Sequence, residues 1–279
     1  MNEIITSGKN PRLKEISALL KQKKERDEKG FFVIEGVRIV KDAIAYAGHL
    51  VRTVFVSETF DTEQLKLKTE TDPEAPGITA DKESNVTGGN GGRNCSFELV
   101  TVKTSVFEEI SGTVSSQGVL AVVEKPSYEL KDLLGGGRYL LLEDIQDPGN
   151  LGTMIRTAEA AGISAVIMSR NTADMFNPKV TRSTMGSCFR VPFIYAENFS
   201  EAVNCLKANG IRVYGAYLRG GRNYREVEFA GNCGIMIGNE GNGLTDEAIA
   251  LADERVFIPM EGKIESLNAA VAAAILMYR

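Results

Sequence analysis

Between Arg138 and Arg279, apolar runs of strand length alternate with stretches of helix length, and this rhythm restricts the chain more than any other feature. Tyr139–Ile145 predicts a strand, Met154–Ala161 a helix stopped by Gly162, and Ala165–Met168 a second strand. Val203–Ala208 lies in a helix closed by Gly210, Arg212–Tyr217 and Cys233–Ile237 are strands, and Thr245 caps a helix running to Ala252. Val256–Ile258 is the last strand, and Ser266 can cap the last helix, which runs through Tyr278. Ser and Thr begin helices because their hydroxyls accept from the free N–H groups of the first turn; Gly ends them because it enters the left-handed region without strain. Such alternation needs crossovers between strands lying side by side. The class is therefore α/β, with a mostly parallel sheet and helices on both faces.

Before Arg138 the pattern is that of a smaller α/β domain. Residues 11–29 predict one basic helix, with Leu13, Ile16, Leu19 and Leu20 inward and Lys14, Lys21, Lys23, Lys24 and Arg26 around it. Phe31–Ile34, Val51–Val56, Phe97–Val102 and Gly118–Val123 read as strands; one helix follows Gly36 and a short one spans Val106–Ile110. From about residue 69 to 94, Pro73, Pro76, Gly77 and the run Gly88-Gly89-Asn90-Gly91-Gly92 replace the apolar pattern, which predicts a flexible insertion. The expected division is a domain over 1–125, a linker over 126–137 ending in Gly135-Gly136-Gly137, and a domain over 138–279.

Composition removes several classes. With 43% hydrophobic and 25% charged residues the chain is globular. The longest apolar run, Ala269–Tyr278, is too short to cross a membrane, and the N-terminus has no basic segment followed by an apolar one, so a cytoplasmic protein is expected. Cys95, Cys188, Cys205 and Cys233 form no CxxC pair and lie near no histidine cluster, which predicts reduced thiols and no metal site. The net charge of −5 opposes a nucleic-acid partner until its distribution is considered. Residues 58–83 carry eight acids against three lysines, whereas residues 1–30 carry eight Lys/Arg against five acids. Local patches, not the total, set a binding field.

Open α/β sheets hold ligands beyond the C-terminal ends of their strands. Three loops there are polar or glycine-bearing: Asp144–Gly152, leading into a helix with Arg156; Gly238-Asn239-Glu240-Gly241-Asn242-Gly243; and Pro259–Asn268. GxGxxG and a Walker lysine are absent, and Ser169-Arg170 stands where a dinucleotide site carries its acid, so NAD and ATP are poorly served. The one histidine, His49, reads as a surface or cap residue of the N-terminal domain, which excludes a Ser-His-Asp triad within the C-terminal one. Glu143, Asp144 and Asp147 could bind a divalent ion, but their spacing does not demand it. What remains is main-chain groups, amides, a serine, an arginine and a glutamate. That set suits a neutral or zwitterionic small molecule approached closely by glycine backbone.

The stretch Asp147-Pro148-Gly149-Asn150-Leu151-Gly152-Thr153-Met154-Ile155-Arg156-Thr157-Ala158 resembles the first motif of the SpoU (TrmH) ribose methyltransferases of the SPOUT class. Ile237-Gly238-Asn239-Glu240-Gly241-Asn242-Gly243-Leu244 resembles their second motif, and Ile258-Pro259-Met260 through Ser266-Leu267-Asn268-Ala269-Ala270-Val271-Ala272 their third. The resemblance covers residues 138–279. It extends more weakly to residues 1–125, which are similar to the ribosomal-protein-like RNA-binding domain that many members carry, including Thr113–Val122; the insertion departs from that domain.

This resemblance implies a SPOUT fold with a deep trefoil knot, against the usual rule that chains do not thread their own loops, and a homodimer with the site near the subunit interface. It implies transfer of a methyl group from S-adenosyl-L-methionine to a ribose 2'-hydroxyl of structured RNA, ribosomal RNA in preference to transfer RNA. Gly238, Ile258, Met260 and Leu267 stand at cofactor positions, with Asn150 and Arg156 facing the ribose and Ser266 and Asn268 positioning groups by hydrogen bonds. Arginine is a poor ordinary base, its pKa lying above roughly 12. Arg156 then either stabilises the developing oxyanion or takes the proton in an unusual environment, and Glu240 either acts as base or braces its loop. Lys179, Arg182, Arg190, Arg219, Arg222 and Arg225, together with Tyr224 and the basic N-terminal helix, are candidate RNA contacts. Two other readings stay open: a non-catalytic RNA-binding protein of the same fold, and an oxidoreductase, against which the missing dinucleotide fingerprint counts.

Overall fold

A strand buried on both faces must be apolar at every position, and four consecutive residues, Tyr139 to Leu142, meet that demand in β7, which begins at the half-buried Arg138. The computed structural model describes residues 4–65, 77–80, 85–89, 95–112 and 115–279; for 77–80, 85–89 and 95–96 it describes the backbone alone. By their contacts these fall into two units, Met1–Pro126 with Phe176–Phe189, and Ser127–Met175 with Arg190–Arg279.

The first unit opens with α1 (Pro11–Lys21) and α2 (Lys23–Lys29). The single basic helix expected over 11–29 is thus two. The chain turns extended at Gln22, with φ −122° and ψ 117°. This frees carbonyls at the end of α1, and the Arg26 guanidinium folds back to donate to the Leu19 carbonyl at 2.7 Å. Arg26 is therefore buried at 3% exposure, not part of a solvent-facing basic stripe.

There follow β1 (Phe31–Glu35), α3 (Val37–Ala47), β2 (Val51–Ser57), β3 (Gly77–Ala80), β4 (Asn85–Gly89), β5 (Cys95–Val102), α4 (Thr104–Ile110) and β6 (Val119–Glu124). His49 lies exposed in a short 3-10 turn after α3. The sheet order is β1-β6-β2-β5-β4-β3, antiparallel except for the parallel pair β2–β5. Leu13, Ile16 and Leu19 of α1 pack with Val33, Phe55, Val102, Phe107 and Leu120 into its core. Of the insertion expected over 69–94, the described parts are strands β3 and β4, which extend the sheet edge; the rest lies outside the described residues, as do Thr113 and Val114.

The second unit contains β7 (Arg138–Leu142), α5 (Pro148–Ala160), β8 (Ala165–Ser169), β9 (Phe193–Ala196), α7 (Phe199–Ala208), β10 (Arg212–Ala216), β11 (Arg222–Asn223), β12 (Cys233–Ile237), α8 (Asp246–Leu251), β13 (Glu254–Phe257) and α9 (Ala269–Met277). Its seven strands run in the order β11-β13-β10-β12-β7-β8-β9, and every pair is parallel. Helices α7 and α8 cover one face, packing on Tyr139, Leu141, Ile167, Val213 and Met236. Helix α9 contacts β12 and packs against α5. The α/β reading with a parallel sheet holds.

Three local readings are corrected. The first loop is mostly helix: Asp147 caps α5, accepting from the Asn150 N–H at 2.8 Å, and Pro148 takes the first position, where its missing N–H costs nothing. The cap of α9 is Asn268, which accepts from Ala270 N at 2.9 Å and Val271 N at 3.3 Å, while Ser266 lies exposed before it. Helix α6 (Pro178–Thr184), which sequence reasoning passed over, belongs by contact to the first unit, where the rings of Phe176 and Phe189 lie 4.8 and 6.2 Å from that of Phe32. The Thr245 cap stands as expected, accepting from Ala248 N at 3.1 Å.

Candidate functional site

The C-terminal ends of β7, β10, β12 and β13 deliver their loops to one edge of the second sheet, around a cleft of about 480 Å³. Gly238, Ile258, Met260, Leu267 and Ser266 line it, with Leu244, Tyr217 and Arg219. A second depression beside it is lined by Gln146, Asp147, Asn150, Glu240, Ser266, Leu267 and Asn268. The structure thus gathers four cofactor candidates in one cleft and four catalytic candidates in its neighbour, with Glu240, Ser266, Leu267 and Ala269 lining both.

The loop after β12 folds back on itself, with Asn239 and Gly243 bridged. A Cβ on Gly238 would lie 2.1 Å from Leu244 N and 2.2 Å from the Gly243 carbonyl carbon, so only glycine permits the closure. Three clamps from the β7 side hold this loop. Both carboxylate oxygens of Glu143 accept from Thr245, from N–H at 2.8 Å and hydroxyl at 2.7 Å. The Asp144 carbonyl accepts from Asn239 Nδ2 at 2.8 Å. The N–H groups of Gln146 and Asp147 each donate to Glu240 at 3.0 Å.

Glu240 Oε1 also accepts from Asn150 Nδ2 at 2.9 Å, and Asn150 Oδ1 accepts from Asn268 Nδ2 at 2.9 Å. One hydrogen-bonded line therefore runs from the glycine loop through α5 to the start of α9. Burial pushes the Glu240 pKa up, but Asn150 and the N–H groups of Gln146, Asp147 and Glu240 itself outweigh it, and the carboxyl titrates below its ordinary value of 4.5. Of its two alternatives, the bracing one fits: each oxygen is already occupied. The same holds for Glu143. No cluster suited to a metal occurs among the described residues.

Arg156 is exposed on α5, lines neither cavity, and has no hydrogen-bond or ion-pair partner among the described residues. The RNA candidates divide. Lys179 is exposed on α6, and Arg182 lies half-buried there. Arg190 is forked onto Glu159 of α5, its Nη2 3.1 Å from Oε2, so its head group is engaged in the fold. Arg222 donates to Glu254 and to the Glu226 carbonyl, each at 2.9 Å, and is held likewise. Arg219 is exposed on the cleft wall, and the exposed Arg225 lies against Tyr224, 5.7 Å from its ring centre. Sequence reasoning missed Asn239, Thr245 and Ser169 as site-building residues; only the polar character of Asn239 within a glycine run could have signalled one of them.

The sequence pattern of the SpoU rRNA Methylase family matches residues 137–278, and that of the MRM3-like substrate binding domain matches residues 10–121. Over 274 residues the chain is 35% identical to the 23S rRNA (guanosine(2553)-2'-O)-methyltransferase RlmP of Bacillus subtilis, covering 98% of this chain and 97% of that protein. Among solved structures it is similar to an AdoMet-bound rRNA methyltransferase from Sinorhizobium meliloti, with TM-score 0.80 and 31% identity over 99% of this chain and 96% of the other. It is also similar to the SpoU methyltransferase AviRb from Streptomyces viridochromogenes, with TM-score 0.77 and 27% identity over 96% and 95% of the two chains.

Proposed function

Because the chain belongs to the SpoU rRNA methylase family, we propose that it methylates a ribose 2'-hydroxyl of a structured RNA, and that this RNA is ribosomal. The observation that carries the reading is the convergence of Asn150, Glu240, Ser266 and Asn268 on one depression that shares Glu240, Ser266, Leu267 and Ala269 with the glycine-lined cleft.

The cleft suits S-adenosylmethionine. Its size is that of an ordinary small-molecule site. Its walls are apolar at Leu244, Ile258, Met260 and Leu267, and its polar edge is the main chain and side chains of residues 238–243. Arg219 is the one basic side chain in the lining, against Glu240, Asp246 and Glu265, which fits a cofactor bearing sulfonium, ammonium and carboxylate groups better than a polyphosphate. When bound, S-adenosylmethionine supplies a methyl group on a sulfonium centre.

The residues of the chain then have separate tasks. Gly238 lets the loop close, and Ile258, Met260 and Leu267 shape the pocket. Glu240 fixes Asn150, which with Asn268 and Ser266 presents amide and hydroxyl groups to the ribose. Positioning of this kind turns an encounter into an in-line geometry. Arg156, a cation without a partner among the described residues, stabilises the negative charge that develops on the ribose oxygen or holds the adjoining phosphate. The first unit and the exposed Lys179 grip the RNA backbone, as does Arg219 at the rim.

The reading extends to three further features: residues 138–279 thread a trefoil knot, the chain acts in the cytoplasm, and two copies pair through α9. No helix among the described residues is long and apolar enough to cross a membrane. Val271 and Tyr278 of the α9 segment are 48% and 65% exposed, an apolar face beside α5 that a second copy would cover. Light scattering should give twice the chain mass, reduced by Val271→Asp.

Calorimetric titration with S-adenosylmethionine, with NAD as control, tests the cofactor assignment. Binding of the first alone is expected; binding of NAD alone would overturn it.

A further inference from the structure

Asp144 is one of two non-glycine residues with positive φ among the described residues, at 55°, and it stands two residues beyond the end of β7. Such a conformation costs a side-chain-bearing residue free energy unless its surroundings fix it. Here Ser169, the last residue of β8, does so from both ends. Its hydroxyl oxygen accepts from Asp144 N–H at 2.8 Å, and the hydroxyl donates to Asp144 Oδ1 at 2.6 Å. Thr172 Oγ1 sits 3.2 Å from the Ser169 hydroxyl oxygen, and Asn171 Nδ2 lies 3.3 Å from Asp144 Oδ2.

The turned backbone has a consequence at the cleft. It aims the Asp144 carbonyl at Asn239, which donates Nδ2 to it at 2.8 Å. The opposite end of that amide, Oδ1, accepts from Gly241 N at 2.9 Å and Asn242 N at 3.1 Å. Ser169 is 7% exposed and lines neither the cleft nor the neighbouring depression, yet it stands two residues of hydrogen bonding away from the glycine loop.

We propose that Ser169 is a positioning residue for cofactor binding: it locks Asp144 in the left-handed conformation, and Asp144 through Asn239 sets the loop that lines the cleft. This rests on the reading of the cleft as the S-adenosylmethionine site. Without the serine hydroxyl, Asp144 relaxes to negative φ, its carbonyl swings from Asn239, and the loop loses one of its three clamps. A side chain with no hydroxyl is then tolerated only if residue 144 no longer resists positive φ, which is the property of glycine.

The test is calorimetric titration of the full chain with S-adenosylmethionine for four proteins: wild type, Ser169→Ala, Asp144→Gly, and the double variant, with melting temperatures measured in parallel. Ser169→Ala is expected to weaken binding about tenfold, the scale of one released left-handed residue. Asp144→Gly in the Ser169→Ala background is expected to restore most of the affinity, because glycine enters the left-handed conformation without strain and the bond from Asn239 is then enough to hold the carbonyl. Loss of affinity in Ser169→Ala that glycine does not rescue would reduce Ser169 to packing and overturn the proposal. So would wild-type affinity in Ser169→Ala. If wild type itself binds no S-adenosylmethionine, the reading of the cleft falls first and the proposal falls with it.

Discussion

Asn150 donates its Nδ2 to Oε1 of Glu240 across 2.9 Å, and through this bond the helix after β7 is tied to the glycine loop after β12. Two segments 90 residues apart in sequence are thereby held as one surface. The carboxylate also takes the N–H groups of Gln146 and Asp147. It joins these two segments directly and, through Asn150 Oδ1 and Asn268 Nδ2, reaches the start of α9.

Glu240→Gln replaces an acceptor-only group by one whose NH₂ must face N–H donors, so the loops separate. Activity is expected to drop about tenfold or more, with a lower melting temperature at pH 7. The pH dependence has a definite sign. Because the folded-state pKa lies below 4.5, the ionised carboxylate contributes stability above the ordinary value, and this is lost as pH falls through the depressed one. Melting curves of wild type and Glu240→Gln should therefore differ at pH 7 and approach each other below pH 4.5. A gap that widens on acidification would contradict the bracing role.

Gly238→Ala places a methyl group 2.1 Å from Leu244 N, against backbone that cannot step aside without opening the loop. A loss of about 1–3 kcal/mol of stability is expected, together with S-adenosylmethionine affinity, by denaturant titration and calorimetry. Gly262→Ala, which meets nothing within 4 Å, serves as the control.

Arg156→Ala removes a cation that lines neither cavity. Turnover is expected to fall by roughly 10²-fold or more while S-adenosylmethionine binding is unchanged. Single-turnover rates and calorimetry on the same preparation separate the two. Parallel loss of both would mean that Arg156 belongs to the cofactor site.

Asn268→Ala and Ser266→Ala are expected to part company in thermal denaturation. The first removes the α9 cap and the bond to Asn150, costing about 1 kcal/mol from the cap alone. The second removes an exposed hydroxyl from the cavity wall and leaves the melting temperature within error, its effect confined to activity.

Much of the second sheet was legible because buried parallel strands are apolar at every position, as Ala165 to Met168 and Cys233 to Ile237 are. The start of α5 was hidden: Gly149 and Gly152 made its first turns read as loop, although Asp147 followed by Pro148 carried the capping signal. Helix α6, seven residues long, and β9, four, are too short for periodicity to register, although Asn177-Pro178 repeats that same signal. In the site, each motif supplied its own residues; Asn150, Glu240, Ser266 and Asn268 meet at one depression, whereas Arg156 lines neither cavity. Partners were what sequence could not give. Arg190 and Arg222 counted as free charges until Glu159 and Glu254 were found against them, and Arg26 until Leu19. Ser169 carried no signal at all, because its task depends on the backbone angle of a residue 25 positions earlier.

The central claim is the chemistry, and methyl transfer to ribosomal RNA tests it directly. Purified chain is incubated with isotope-labelled S-adenosylmethionine and unmodified ribosomal RNA, and the RNA is digested to nucleosides and separated by mass spectrometry. The label is predicted in a single 2'-O-methylnucleoside, absent with Arg156→Ala. Label in a base-methylated nucleoside, or none in any RNA offered to a chain that binds the cofactor, would contradict it.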